Sequence, residues 1–159
     1  MDPERLIARH GLQPHPEGGW YREIHRSDLL VQRQNDGQMR NGLTVIVFLL
    51  QAGDTSRWHR VLGADEVWHH VDGDPLELLR LPPLGGAMES LRLGAYDNDE
   101  PAQFPLQVVP AGWWQAARSL GAWSLVHCLV GPGFAFEDFS LMAELDADQQ
   151  PPGADSLWL

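Results

Sequence analysis

Several features that mark other classes of protein are scarce in this chain of 159 residues. Its one cysteine, Cys128, cannot form an intramolecular disulfide, and its apolar neighbours predict a buried, inert thiol. The longest apolar run, Val45–Leu50, is far too short to cross a lipid bilayer. The first residues, Met1–Arg5, lack the basic-then-apolar pattern of a signal peptide. We therefore expect a soluble, cytoplasmic protein with no membrane partner.

Basic residues are also scarce. The chain has 11 Lys and Arg residues against 22 Asp and Glu residues, which gives a formal net charge of −11 at pH 7. The basic residues are scattered and many stand next to acids, whereas phosphate binding needs clustered positive charge. The composition therefore argues against a nucleic-acid partner.

Helical signals are confined to the N-terminus. Asp2 is a suitable N-cap, Pro3 suits the first helical turn, and Gly11 is a typical helix end. In the rest of the chain, short apolar runs alternate with turns rich in Gly, Pro, Asp and Asn, which is typical of an all-β sandwich or barrel. The predicted strands are Trp20–Arg26, Leu43–Gln51, Arg57–Val61, Glu66–Val71, Leu76–Leu81, Glu89–Gly94, Gln107–Pro110, Trp114–Arg118, Ser124–Val130 and Phe139–Glu144.

The chain is organised as one domain. It contains no internal repeat at a fixed period and no linker, and its hydrophobic content of 43% suits a globular protein of this length. We predict a single domain over residues 1–145. Residues 146–159 are acidic and Pro-rich, and we predict that they form a mobile tail.

Polar side chains that can bind a metal or an organic ligand recur on two predicted neighbouring strands. Side chains two apart share a face of a strand, so Glu66, Trp68 and His70 point the same way. If residues 62–65 join the strands as a hairpin, His59 lies on the same side as these residues. Two imidazole nitrogens and a carboxylate oxygen suit a divalent transition metal. The sequence therefore predicts a metal set of His59, Glu66 and His70.

The spacing in this region resembles the first motif of the cupin superfamily. That motif is a glycine, five residues, His-x-His, a Glu after three or four residues, and a glycine after six more. Gly53, His59, Glu66 and Gly73 fall in register with it, but Val61 stands where the second histidine is expected. The departure removes one ligand of the usual cupin metal site.

The second cupin motif is matched in part. Pro110 and Gly112 agree with it, but Gln115 replaces the histidine, and Phe104 and Ser119 replace the flanking Gly and Asn. Longer segments resemble the fifth cupin family, once filed as a domain of unknown function. These segments are residues 15–23, 64–70, 74–78, 110–115 and 131–139.

The resemblance implies a fold and a site. It implies a double-stranded β-helix, the cupin or jelly-roll barrel, that often forms a homodimer and holds a small organic ligand in its mouth. It implies no reaction, because proteins of this fold include epimerases, isomerases and oxygenases. We expect His59, Glu66, His70, Gln115, Trp68 and Arg22 to contact the ligand.

Residues 17–22 leave one question open. Two adjacent glycines before an aromatic strand predict a close backbone approach. Tyr21 and Arg22 point to opposite faces of the strand, so only one of them faces the interior of the barrel. An inward Tyr21 would supply an acid or a hydrogen-bond donor, and an inward Arg22 would select an anionic ligand.

Three functions follow as alternatives. The first is a binding protein that holds a small molecule, either anionic or sugar-like, without chemistry. The second is a metal-independent epimerase or isomerase, similar to the rhamnose-pathway enzymes, in which His70 or His59 removes a proton and Tyr21 returns one. The third is a metal-dependent oxygenase with His59, Glu66 and His70 as a facial triad.

Overall fold

The computed structural model describes residues 2–159 and begins with the predicted helix, α1 (Pro3–His10). The Asp2 carboxylate accepts a hydrogen bond of 3.1 Å from the backbone N–H of Glu4, as the N-cap prediction requires. Gly11 ends the helix in the left-handed conformation, with φ 60°. The predicted N-terminal helix is confirmed.

Strands make up most of the rest. Over residues 2–159 they are β1 (Gln13–Pro14), β2 (Trp20–Arg26), β3 (Leu30–Gln32), β4 (Met39–Asn41), β5 (Thr44–Gln51), β6 (Thr55–Val61), β7 (Asp65–Gly73), β8 (Leu76–Leu81), β9 (Glu89–Leu93), β10 (Gln103–Phe104), β11 (Leu106–Val109), β12 (Trp114–Ser119), β13 (Trp123–Gly131) and β14 (Phe139–Leu141). Short 3₁₀ helices span Phe136–Asp138, Met142–Glu144 and Ser156–Trp158.

The strands form two facing sheets. The first has the order β1-β2-β5-β13-β7-β11 and the second the order β10-β9-β8-β12-β6-β14. Neighbours pair antiparallel, except for β9 with β10, and β3 pairs with β4 in a separate ribbon. Chain neighbours such as β5 and β6 lie in different sheets, as the crossing connections of a jelly roll require. The predicted all-β, double-stranded β-helix is confirmed.

The core lies between the two inner faces. Phe48, Trp68 and Val126 from the first sheet meet Leu76 and Leu78 from the second, and these five side chains are fully buried. Alternate residues of each strand face this layer, so one side of each sheet is mainly apolar. Toward one end of the barrel, polar side chains such as His59 and Glu66 replace the apolar ones.

The outer faces are covered by the two ends of the chain. Helix α1 packs Leu6 on the first sheet against Val47, Leu49 and Leu125. On the second sheet, Trp158 packs against other tryptophans, and it is 6% exposed. The structure thus differs from the mobile tail predicted for residues 146–159. Burial of this aromatic ring outweighs the acidic, Pro-rich composition of the tail.

Candidate functional site

A cavity of about 670 Å³ opens at one end of the barrel, between the inner faces of the two sheets. Its polar lining includes side chains from both sheets and from the loop that joins β1 to β2. Carboxyl, imidazole, phenol and thiol groups occur together in this lining. They belong to His15, Glu17, Tyr21, His59, Glu66 and Cys128.

The first polar group in the cavity is an ion pair between Glu17 and His59. The Oε2 atom of Glu17 lies 3.0 Å from Nε2 of His59, and both side chains are almost fully buried. Nδ1 of His59 lies 2.7 Å from the carbonyl oxygen of Arg57, and Ser56 donates a hydrogen bond of 2.8 Å to Oε1 of Glu17. Both ring nitrogens of His59 are therefore engaged within the chain.

A β-bulge in β6 makes this arrangement possible. His59 pairs with Gln115 and Ser56 with Ala117, so three steps along β6 correspond to two along β12. The extra residue places Ser56 and His59 on the same inner face, although they are three residues apart. Without the bulge, strand alternation would point one of them away from Glu17.

Adjacent glycines bring Glu17 to this face. Gly18 has φ 109° and Gly19 has φ 74°, a region that other residues rarely adopt. A Cβ atom at Gly18 would overlap the carbonyl oxygen of Thr55, and one at Gly19 would lie 2.9 Å from the carbonyl oxygen of Leu49. The close backbone approach predicted for this segment is therefore present, and it inserts Glu17 between β5 and β6.

The ion pair shifts the titration of both partners. Burial lowers the pKa of His59, but the charge of Glu17, the hydrogen bond to it, the charge of Glu66 and the hydrogen bond to the Arg57 carbonyl together raise it by more, so the net shift is upward. Burial raises the pKa of Glu17, but the His59 charge and the hydrogen bonds from His59 and Ser56 lower it overall. The pair is thus held as imidazolium and carboxylate.

Glu66 is the second buried carboxyl group of the cavity. Gln115 donates a hydrogen bond of 2.5 Å from its amide nitrogen to Oε2 of Glu66, and its amide oxygen accepts one of 2.8 Å from the Trp68 indole. Burial raises the pKa of Glu66 to about 7, against the lowering effect of His59 and with a further increase from Glu17. Near neutral pH, Glu66 can therefore both give and accept a proton.

The strand register settles the direction of Tyr21 and Arg22. Tyr21 pairs with Phe48, whose ring lies in the core, and Arg22 pairs with Val47, which packs under α1 on the outer face. Cross-strand partners share a face of the sheet, so Tyr21 points into the barrel and Arg22 points out. Arg22 borders the cavity, but its guanidinium lies outside, next to Gly11 at the end of α1. A Cβ atom added to Gly11 would be 3.7 Å from that guanidinium.

Aromatic rings form the wall between floor and mouth. His15 meets Tyr21 edge-on, with ring centroids 4.5 Å apart, and lies 6.0 Å from Phe139. Phe134 and Phe136 continue this wall toward solvent, with centroids 5.0 Å apart. Burial lowers the pKa of His15, despite the opposing effect of Glu17, so its ring is neutral beside the ion pair. The cavity is thus polar at its floor and apolar near its mouth.

The segment that carries this wall is anchored by buried charges. The Asp138 carboxylate accepts hydrogen bonds from Arg33 and Arg40, at 2.8 to 3.2 Å, and Arg33 also pairs with Asp36. Arg33 and Arg40 belong to the segment around the β3–β4 ribbon. The network ties that ribbon to Asp138, two residues after Phe136.

The predicted site residues separate into two groups. His59 and Glu66 line the cavity, and Gln115 and Trp68 support Glu66 from behind. His70 does not join them, because its Nε2 atom lies 3.2 Å from the carbonyl oxygen of Asp74. His70 is on the predicted face, but it follows Trp68 along β7 and so lies two layers, roughly 13 Å, from Glu66.

The donors present do not fit a resident transition metal. Both nitrogens of His59 are engaged, Glu66 accepts from Gln115, and His70 is distant. Among residues 2–159, no three His, Cys, Asp or Glu side chains are grouped in a way that would hold a metal ion. The arrangement thus gives no support to the metal set of His59, Glu66 and His70 predicted from strand faces.

Sequence reasoning missed several residues of the site, among them Phe134 and Phe136 of the aromatic wall. His15, Glu17, Cys128 and Phe139 line the cavity but were not expected to contact a ligand. The signal for Glu17 was the glycine pair that follows it, since two strained glycines mark a segment pressed against its neighbours. Cys128 was correctly predicted to be buried, and it lines the same cavity as Glu66.

Two sheets with this connectivity and a cavity at one end define a cupin barrel. The model of the family described as Cupin superfamily (DUF985) matches residues 4–142. The chain belongs to this family, and the resemblance in its motifs is confirmed. No curated protein matches the chain.

Solved structures agree with the assignment. A hypothetical protein from Leishmania major is 31% identical, with a TM-score of 0.80 over 91% of this chain and 90% of its own. A protein from Shewanella oneidensis is 28% identical, with a TM-score of 0.78 over 97% and 99% of the two chains. KdgF from Halomonas sp. is 17% identical, with a TM-score of 0.51 over 79% and 90%, and shares the fold alone. Across residues 2–159, no helix is both long and apolar enough to span a membrane.

Proposed function

We propose that this protein binds a small organic molecule in the cavity between its two sheets. The observation that carries the proposal is a cavity of about 670 Å³ with a buried polar floor and an aromatic wall. Small-molecule sites have this volume and combine a mainly apolar lining with a few placed polar groups. The ligand places its polar end beside Glu66 and the Glu17–His59 pair, and its apolar part against Phe139.

The buried polar groups support this role because they do nothing for the core. Removing a carboxyl group from water costs several kcal/mol of folding free energy, and a barrel of this size can fill its interior with apolar side chains. Glu66 is 7% exposed and its hydrogen-bond partner is a neutral amide. A group kept at such a cost in a cavity is a candidate for ligand recognition.

An isomerase or epimerase is the second candidate. The observation that favours it is that Tyr21 lines the same cavity as Glu66, whose pKa of about 7 suits proton exchange. Of the two predicted bases, His70 is not among the lining residues and His59 has both ring nitrogens engaged, so Glu66 takes the role of proton acceptor in this scheme. Incorporation of solvent deuterium into keto-sugars or keto-acids tests it, and loss of that incorporation in Tyr21→Phe supports it.

A binding screen tests the main proposal. The probes are a metabolite panel of amines, polyols, keto-sugars and carboxylates, and the measurement is the increase in melting temperature that a bound ligand causes. Ile46 lines the cavity and is partly buried, so Ile46→Phe fills space that the ligand needs. Val71→Phe adds the same bulk at an exposed position outside the cavity, and serves as the control.

We expect at least one class of compound to raise the melting temperature of the natural chain and of Val71→Phe, but not of Ile46→Phe. Shifts that persist in Ile46→Phe would place binding elsewhere and contradict the proposal. No shift by any compound would also count against it.

A homodimer and a cytoplasmic location remain our expectations. Sedimentation equilibrium measures the oligomeric state.

A further inference from the structure

Two of the three cations in the described lining of the cavity, His59 and Arg26, are paired with carboxylates of the chain itself. His59 is paired with Glu17 at 3.0 Å. Arg26 donates two hydrogen bonds of 2.8 Å to Glu23, and a further one to the carbonyl oxygen of Phe134. Arg22, the other arginine of the lining, leaves the sheet on its outer face. Neither paired cation is thus free for an anionic ligand, and the side chain of Arg22 is directed to the outer face, beside Gly11.

The carboxylates are in surplus. Glu66 accepts a hydrogen bond from a neutral group, the Gln115 amide, and no Lys, Arg or His among residues 2–159 forms an ion pair with it. At the mouth, Glu137 is 80% exposed and lies 3.4 Å from Arg40, which it shares with Asp138, since Arg40 also makes two hydrogen bonds to Asp138. A ligand that brings positive charge would therefore complete the charge balance of the cavity, whereas a negative one would worsen it.

The aromatic wall favours the same sign of charge. Phe134, Phe136 and Phe139 meet pairwise at 69° to 82°, with ring centroids 5.0 to 6.1 Å apart. Rings set nearly perpendicular present both faces and edges around one space, and ring faces attract cations. The net charge of −11 also draws cations toward the protein and repels anions.

We propose that the ligand is a protonated organic amine, with its ammonium group beside Glu66 and its apolar part against Phe134 and Phe139. This inference rests on the proposed function, since it names the class of molecule that the same cavity takes. The ammonium group donates to the Glu66 oxygen that Gln115 leaves free, and Phe139 excludes water from the contact. It replaces the anionic or sugar-like ligand expected from the sequence.

Two matched sets of probes test the charge of the ligand. One is glucosamine, glucose and glucuronate, and the other is benzylamine, benzyl alcohol and benzoate. Within each set the ring is the same and one substituent carries a positive, neutral or negative group, and ligand-observed NMR titration gives the dissociation constants. We expect the amine of at least one set to bind about tenfold or more tightly than its neutral and anionic partners.

Glu66→Gln tests the position of the ammonium group. The substitution keeps a partner for Gln115 but removes the charge, so we expect about a tenfold loss for the amine and no change for the neutral probe. Glu100→Gln removes one charge at an exposed position outside the cavity, and should leave every constant unchanged. Equal losses in the two variants would mean that only net charge matters, which overturns the placement.

The two proposals fail in different ways. Tighter binding of glucose, glucuronate, benzyl alcohol or benzoate, lost in Ile46→Phe, overturns the amine inference and leaves the cavity as a ligand site. Failure of both amines to bind at millimolar concentration overturns the inference as well. The comparison within each set uses the natural chain, so it stands even if Glu66→Gln does not fold. The proposed function fails separately, when no compound of the wider panel binds in the cavity.

Discussion

At the scale of single residues, Glu17 and His59 stabilise each other in a place where neither charge could remain alone. His59 is 2% exposed and its charged partner is equally buried. An uncompensated charge at such depth costs several kcal/mol, so removal of either partner penalises the one that remains. We therefore expect substitution of Glu17 or His59 to lower the free energy of unfolding more than any other single substitution in the site.

We predict that His59→Ala lowers the free energy of unfolding by about 3 to 5 kcal/mol, because it leaves Glu17 buried without its cation. Glu17→Gln should also destabilise, and the double variant should be less destabilised than the sum of the two, which urea denaturation of all four proteins measures. Additive losses would mean that the two side chains do not interact.

The ion pair also makes stability depend on pH. Its stabilisation is complete between the ordinary pKa values of its partners, 4.5 for Glu17 and 6.5 for His59. It is lost as pH falls through the lowered pKa of Glu17, or rises through the raised pKa of His59.

Glu66 makes a separate prediction about pH. Its pKa is raised from 4.5 to about 7 in the folded protein, so its contribution is fully present below pH 4.5 and is lost as pH rises toward 7 and above. The difference amounts to at most about 3 kcal/mol. Glu66→Gln should therefore gain stability relative to the natural chain between pH 5 and pH 8, as denaturant melts at both values report. A stability difference between Glu66→Gln and the natural chain that does not change with pH would contradict the raised pKa of Glu66.

Sequence alone reached only part of the site at this scale. His59, Glu66 and Gln115 were found because motif spacing and strand alternation both marked them. The direction of Tyr21 depends on which residue of β5 it pairs with, and pairing register is a long-range property that one strand does not encode. Glu17 was not predicted as a site residue because it lies in a loop, and the sequence of a loop has no periodicity that shows where its side chains point.

At the scale of elements, the C-terminal segment acts as a cover for the second sheet. Trp158 packs against Trp58 and Trp114, and the Trp58 indole donates a hydrogen bond of 2.9 Å to the carbonyl oxygen of Asp155. Arg118 lies 5.2 Å from the Trp158 ring. The cover shields the outer face of the sheet whose inner face carries His59 and Gln115.

We predict that Trp158→Ala lowers the free energy of unfolding by about 3 kcal/mol, because it exposes apolar surface of the second sheet. Leu157→Ala, at the neighbouring position that is 86% exposed, should change it by no more than about 0.5 kcal/mol. Thermal and denaturant melts measure both. Equal effects of the two substitutions would show that the segment does not rest on the sheet in solution.

The strands and the tail also show which structural features the amino-acid composition does not predict. The turn residues and apolar runs located most strands, because burial on one face repeats every second residue. The bulge in β6 has no such signal, since it adds one residue without changing the local composition. The tail was assigned as mobile from its many polar residues and prolines, although one tryptophan is enough to hold it.

At the scale of the whole molecule, the fold was predictable and the chemistry was not. Cupin motifs fix where strands and turns fall, and the family assignment and the two-sheet architecture both agree with that prediction. The metal set depended on His70 reaching the cavity, but its place along β7 puts it beyond the Trp68 layer. The face of a sheet on which a side chain lies follows from its odd or even position along the strand. Its depth in the barrel depends instead on how the two sheets pack together.

The central claim is that the cavity holds a small organic ligand, and methyl NMR tests it most directly. The natural chain, with labelled Ile, Val and Leu methyl groups, is titrated with each compound that raises its melting temperature. The account predicts that the shifts concentrate on Ile46, Val61 and Val130, which line the cavity, while Val71 and Leu106 on the outside do not move. Shifts confined to the outer residues, with the cavity methyl groups unchanged at saturation, would contradict it.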